Sequence, residues 1–266
     1  MHTFRLFVLM AFVLGFLPGA NAFTIKIENP DLPNGKIKIA YAFEGKYYTL
    51  DSILLNEKGK AIYQAKSNMH RGIYLLLTPD KKFVEFIRTD DPVYSVSFQG
   101  MDIAGTLKIK EGKENLIFNT YQKEMGVFSK MENKEEGKKK MDEYNAQILS
   151  KYPNSLLASI IRCVSPIPDY TPDIPEGTPK RDSLLTVLRY NHYKKHYFDQ
   201  VNFKESGLIR TTFFKQKLDL FFDKVLPPLP VDTLEKYISY CIDQSMSDSL
   251  QFHYVTEYFF QRYQKS

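Results

Sequence analysis

The stretch FFKQKLDLFFDKVL, residues 213–226, puts Phe214, Leu218, Phe221, Phe222 and Val225 along one broad stripe at helical spacing. FTIKIEN, residues 23–29, has the other period. Phe23, Ile25 and Ile27 share one strand face, while Lys26 and Glu28 take the other. One chain that carries both patterns holds two kinds of structure in series.

Working outward from the helical stretch, Pro227-Pro228 is expected to stop it, because proline lacks an amide donor. Asp232-Thr233-Leu234-Glu235 has capping-box spacing for the next helix, with Leu234, Ile238, Cys241 and Ile242 on one side. A last helix runs through Leu250, Tyr254, Tyr258 and Phe259. Upstream, helical spacing covers Leu184, Leu185 and Leu188. Before it, the loop 165–179 holds Pro166, Pro168, Pro172, Pro175 and Pro179 and cannot be a regular helix. Asn154 is expected to cap LLASII, after Pro153 ends a helix through Met141, Tyr144, Ile148 and Tyr152. Ile117, Tyr121 and Phe128 form the first helical face. The charged run Lys130–Lys140 is read as a solvated helix, since Glu132, Glu135 and Glu136 intersperse its lysines.

The front half is strand-like. KIKIAYAF places Ile37, Ile39, Tyr41 and Phe43 on one face. Turns are expected at Glu44-Gly45-Lys46, Asn56-Glu57-Lys58-Gly59 and Pro79-Asp80-Lys81-Lys82, and Asp90-Asp91-Pro92 breaks the chain again. About seven short strands so spaced predict an antiparallel sandwich or partly open barrel, each strand with one solvated face. The fold class is therefore a mainly β N-terminal domain, residues 23–110, followed by an all-α helical domain, residues 111–266.

Residues 1–22 are read as a secretory signal peptide: Arg5, an apolar run Leu6–Leu17, then Ala20-Asn21-Ala22 at the cut. The run is too short for a usual membrane span, and no second run is long and apolar enough to make one. The expected location is the periplasm or the extracellular space. The chain of 266 residues carries a formal charge of +5 and is 43% hydrophobic, a globular composition without the localised basic face that nucleic-acid binding needs. Its 2 cysteines cannot build a four-cysteine zinc site or a disulfide-rich scaffold.

No chemical motif is complete. Asp90 and Asp91 read as a turn, and Gly100 and Gly105 around Met101-Asp102 are not a phosphate-cradling loop. His192 and His196 share a helix face, but Tyr193 stands where a zinc protease carries glutamate, and Lys194 and Lys195 disfavour a cation. His253 is read as structural. His70, beside Arg71, has no assignable nucleophile or acid. Cys163 and Cys241 fall near apolar stripes, as two buried thiols or one structural disulfide. No catalytic, cofactor-binding or metal-ligating residue is assigned.

KHYFDQVNFKESGLIRTTFFKQKLDLFFDKVLPPLPVDTLEKYI, residues 195–238, resembles the helical domain of unknown function of exported Bacteroidota proteins, which usually precedes a thioredoxin-like domain. The resemblance rests on His196-Tyr197-Phe198-Asp199, Phe203, Leu208-Ile209-Arg210-Thr211, Lys217-Leu218 and the proline-rich break with Asp232-Thr233. The front half is similar to the small β domain that often comes first. In that family the redox chemistry belongs to a CxxC motif in the thioredoxin-like domain, and this sequence has no CxxC, so no catalytic residue carries over. A polar link between Asp199 and Arg210 is expected. The resulting expectation is a non-catalytic binding or accessory module for an envelope protein or peptide, with a glycan as the other ligand class. The alternative is a truncated or divergent component of a thiol-disulfide oxidoreductase system.

The mature protein is expected to begin at Phe23. Intact-mass measurement of the envelope form checks this: loss of residues 1–22 is the expected result, and a mass that retains the apolar run contradicts it.

Overall fold

The computed structural model describes residues 23–43, 46–66, 69–100, 102–226 and 230–264. Residues 1–22, read above as a signal peptide, the turn expected at Glu44-Gly45 and the stop expected at Pro227-Pro228 lie outside the described residues. The front half contains β1 (Thr24–Glu28), β2 (Lys36–Phe43), β3 (Lys46–Leu54), β4 (Lys60–Gln64), β5 (Gly72–Leu77), β6 (Phe83–Arg88), β7 (Val93–Ser97), a short α1 (Ile103–Thr106) and β8 (Lys108–Glu111). They form two four-stranded sheets, ordered β4-β1-β7-β8 and β3-β2-β5-β6, packed as a sandwich and not closed into a barrel.

The alternation in FTIKIEN is borne out: Phe23, Ile25 and Ile27 are buried between the sheets with Ile37, Ile39, Tyr74, Leu76, Phe86, Tyr94 and Val96. Phe86 stacks on Tyr94 at 5.0 Å between ring centroids. The Asn56 turn forms as expected. Gly59 N donates to Asn56 O at 2.9 Å, and Asn56 Oδ1 accepts from Lys58 N and Lys60 N. Gly59 has φ +68°, and a Cβ there would sit 1.9 Å from Asn29 O, so the turn needs glycine.

Two expectations for this half are corrected. The sheets are not wholly antiparallel, because β1 pairs parallel with β7. Between them the chain crosses into the second sheet and returns twice, through β2-β3 and then β5-β6, the long excursion that a parallel pair requires. Nor does every strand keep a solvated face. In GIYLLL of β5, Tyr74, Leu75 and Leu76 are consecutively buried, and Ile73 and Ile87 pack against the helical core. A continuous apolar run of this kind marks a strand covered on both sides. In KIKIAYAF the pairing shifts between Ile39 and Ala40, and Phe43 packs against the helices.

The back half contains α2 (Lys113–Ser129), α3 (Lys134–Lys151), α4 (Leu156–Val164), α5 (Arg181–Lys195), a 3-10 turn (Ser206–Arg210), α6 (Thr212–Leu220), a π-helical turn (Phe221–Val225), α7 (Val231–Ser245) and α8 (Ser249–Tyr263). The stripe in residues 213–226 behaves as its spacing says: Phe214, Leu218, Phe221 and Phe222 are buried in the helical core, with Val225 partly buried against it. Two caps fall elsewhere than expected. Ser155, not Asn154, caps α4, its Oγ accepting from Ala158 N at 3.1 Å. Helix α7 starts after Pro230, whose carbonyl accepts from Thr233 N and Leu234 N, so Asp232 lies in the first turn and makes no side-chain cap. There its charge still complements the helix dipole.

Two clusters join the halves. Buried Asn115 of α2 bonds both ways to the β6 backbone: Ile87 N donates to Asn115 Oδ1 at 2.8 Å, and Asn115 Nδ2 donates to Ile87 O at 2.9 Å. One side chain thus replaces a strand partner at the edge of the second sheet. Arg71, just before β5, grips Glu205 with two bonds, from Nε to Oε1 at 3.0 Å and from Nη2 to Oε2 at 3.1 Å. Its Nη1 lies 2.7 Å from Asp90 Oδ2, an ion pair without hydrogen-bond geometry. Asp91 Oδ2 accepts from Glu114 N in the first turn of α2 at 2.8 Å. The Asp90-Asp91 turn is therefore more than a solvated loop, because both acids reach across to other elements.

Breaking a buried pair from one side leaves a charge without its partner and costs about 3 kcal/mol. Arg71→Met and Glu205→Gln should each destabilise by roughly that much in urea unfolding, and the double variant by far less than their sum. Asp90→Ala should cost no more than about 1 kcal/mol, since its carboxylate is 89% exposed. Strictly additive losses for Arg71 and Glu205 would show that the pair is not coupled.

Candidate functional site: a tyrosine-lined cleft

The proline-rich loop follows α4 directly. Ser165 N closes the helix on Ile161 O at 2.9 Å, and Pro166 and Pro168 then keep the chain from continuing as helix. The loop rejoins the helices through Arg181 Nε, which donates to Ile174 O at 3.1 Å. Between loop, α5 and α6 lies an open cleft of about 900 Å³. Val164, Pro166, Ile167, Pro168 and Tyr170 form one wall. Arg189, Tyr190, His192 and Tyr193 of α5 form the second, and Phe213, Gln216, Lys217 and Leu220 of α6 the third; Tyr197 and Cys163 line it from the core side.

Three tyrosine rings of the cleft, Tyr170, Tyr190 and Tyr197, are held in place. Tyr170 stacks on His192 at 4.3 Å with the planes 11° apart, which docks the loop on α5. Tyr190 Oη donates to Val225 O at 2.8 Å, and Tyr197 Oη to Lys217 O at 3.2 Å. The Lys217 ammonium lies 4.4 Å from the centre of the Tyr197 ring, a cation–π contact. Burial pulls the Lys217 pKa down and pushes those of Tyr197 and Cys163 up, the thiol to about 11. Lys217 opposes the shift of Cys163, but burial outweighs it.

His192 and His196 do share a face, with ring centroids 4.3 Å apart. They serve as packing surfaces: His192 under Tyr170, and His196 bonded through Nδ1 to Asp199 Oδ2 at 2.6 Å. The expected Asp199–Arg210 link is therefore corrected. Asp199 is taken by His196, Arg210 Nη1 has no hydrogen-bond partner among the described residues, and the polar link across this region is Arg71–Glu205. His70 O accepts from Tyr74 Oη at 2.8 Å, and the His70 imidazole pKa is lowered by burial and then by Arg210. His253 lies exposed on α8, and Asp102 caps α1 by accepting from Gly105 N at 3.1 Å. Cys163 and Cys241 are free buried thiols, so of the two readings left open the structure has the thiols.

The spacing of Leu184, Leu185 and Leu188 says helix without saying which face is buried, so the cleft is not legible from it. Leu185 is buried, but Leu184 and Leu188 are 43% and 38% exposed, and Val187 and Tyr193 are exposed as well. The signal was present: apolar residues at 184, 185, 187, 188, 190 and 193 surround the helix instead of forming one face.

The molecule is a two-sheet β sandwich joined to a helical bundle, with a cleft of about 900 Å³ in the bundle. It belongs to the family described as a domain of unknown function, DUF5106, whose pattern matches residues 129–265. No curated protein matches the chain. Among solved structures it is similar to a Klebsiella pneumoniae 5-hydroxyisourate hydrolase at 16% identity, over 34% of this chain and 99% of that one, with a TM-score of 0.26. A protein from Eubacterium rectale, solved by NMR, is 13% identical over 37% of this chain and 98% of its own, with a TM-score of 0.23.

The buried Cys163 predicts a specific alkaline instability. An exposed thiol in the unfolded chain loses its proton near pH ~8.5, whereas the folded thiol holds it to about 11. Its contribution is therefore intact below pH ~8.5 and falls as the pH rises to about 11, by about 3 kcal/mol in all. Lys217, with a lowered pKa, acts in the opposite sense, so the comparison must isolate the thiol. Urea unfolding of wild type and Cys163→Ala at rising pH should show the steeper loss in wild type. Parallel curves would contradict the assignment.

Proposed function

We propose that this protein is a non-catalytic binding or accessory module of the periplasm or cell exterior, holding a partner protein or peptide in the tyrosine-lined cleft. The observation that carries this reading is the combination of exposed rings with fixed ring positions. Tyr170, Tyr193 and Phe213 present apolar surface to solvent, while Tyr170 is stacked and Tyr190 and Tyr197 are hydrogen-bonded. Rigid aromatic surface binds at low entropic cost, and tyrosine and arginine dominate binding hot spots. The leader-like segment supports the location. Among the described residues no helix is long and apolar enough to cross a membrane.

A second reading, a component of a thiol-disulfide oxidoreductase system, is favoured by the resemblance in residues 195–238 and by Cys163 on the cleft. A thiol held to about pH 11 has little thiolate for exchange at neutral pH.

Affinity capture from intact envelopes with wild type and Phe213→Glu separates these readings. Enrichment of one partner that is lost in the variant is the expected outcome. Equal capture by both would remove the cleft from the account. Multiple-turnover insulin reduction that disappears in Cys163→Ser/Cys241→Ser would favour the redox reading.

A further inference from the structure

We infer that the cleft takes an acidic peptide segment, held by a carboxylate on Lys217 and by apolar side chains laid among the exposed rings and along α5. This inference rests on the binding reading above and names the chemistry of its ligand.

Charge favours an acidic ligand. Lys217 is partly buried and lies over the Tyr197 ring, and it joins none of the ion pairs found among the described residues. The acids nearest to it on α6 and the π-helical turn are already engaged. Asp219 pairs with Lys215 at 2.8 Å and accepts from Tyr258 Oη at 2.9 Å, and Asp223 pairs with Arg262. Arg189, on the opposite wall, has no ion pair among the described residues either. Against these two cations the lining, among the described residues, holds a single acid, Asp169. A cation drawn partly out of water and left without a counter-ion gains most from an incoming carboxylate, and the ring beneath it offsets only part of its desolvation.

The apolar surface beside the cleft favours a peptide over a glycan. A sugar ring needs flat aromatic faces and polar rims. This surface continues past the rings as an aliphatic row: Leu184 and Leu188 stand two turns and one turn before His192 on the same row of α5, and both are substantially exposed. From residue 184 to residue 192 the helix rises about 12 Å. That is the reach of about four residues of extended chain. Alternating acidic and apolar side chains on such a segment match both features of the site, cations within the cleft and apolar surface along the helix.

Fluorescence anisotropy with short labelled peptides tests the inference. One probe carries Glu and Asp alternating with Leu and Phe. In a second, Lys replaces the acids, and in a third, Ser replaces Leu and Phe. The soluble N-acetylglucosamine–N-acetylmuramic acid disaccharide competes as the glycan probe. The acidic, apolar peptide should bind, more weakly as salt rises, and the other two peptides at least about tenfold less well. Lys217→Gln should weaken the acidic peptide by roughly tenfold and Lys217→Arg should restore it. Arg189→Gln, at an exposed position that does not endanger the fold, should weaken it severalfold. Equal binding of acidic and basic peptides, indifference to both charge variants, or displacement by the disaccharide alone would overturn the inference. If the acidic peptide fails while Phe213→Glu still abolishes capture from envelopes, the ligand class is wrong and the binding reading stands. If both fail, the binding reading falls as well.

Discussion

The bidentate contact between Arg71 and Glu205 is the constraint around which the two halves are arranged. Glu205 is buried, and it also accepts from Gly207 N at 2.9 Å, capping the 3-10 turn Ser206–Arg210. That turn touches β2, β5, α4, α6 and α8. A single carboxylate therefore fixes the start of the turn and ties it to the strand next to Arg71. Immediately beside the grip the backbones come very close: a Cβ on Gly72 would lie 2.4 Å from Cβ of Arg210. Glycine at 72 is what lets the second sheet approach the turn at all. Buried ion pairs add little net stability compared with apolar packing, but they penalise every arrangement that separates them. Any docking of sheet on helices that separates Arg71 from Glu205, unlike the one observed, would carry that penalty.

The cleft inherits its shape from that docking. Leu208 and Ile209 of the turn are buried in the helical core together with Phe198, Phe203 and Phe214. Phe198 packs against Phe221 at 4.7 Å and Phe203 against Phe214 at 5.7 Å, which sets α6 relative to the end of α5. With those two walls placed, the proline-rich loop has one surface on which to lie, and Tyr170 completes it by stacking on His192. His196–Asp199 and Leu208–Thr211 thus have a physical role, the first leading from α5 into the core and the second at the centre of the bundle.

Much of the fold was legible because hydrophobic period is a local property. Phe23, Ile25 and Ile27 state their buried face within five residues, and Phe214 to Phe222 state theirs within three turns. What depends on distant partners was not legible. The parallel pairing of β1 with β7, the second covered face of β5 and the use of Asn115 as a strand partner all arise where segments far apart in sequence meet. Arg71 and Glu205 carry no local signature, since an Arg before a strand and a Glu before Ser-Gly are each ordinary. The cleft was hidden for a different reason. Helical spacing at Leu184, Leu185 and Leu188 does not say which face is buried, and the apolar residues of α5 spread around the helix beyond what one core face can take.

If one docking interface governs the structure, the sandwich and the bundle should unfold together. Differential scanning calorimetry tests this most directly. The account predicts one transition whose calorimetric and van't Hoff enthalpies agree. Two resolved transitions, one for the sheets and one for the helices, would contradict it and would reduce the Arg71–Glu205 grip to a contact between independent domains.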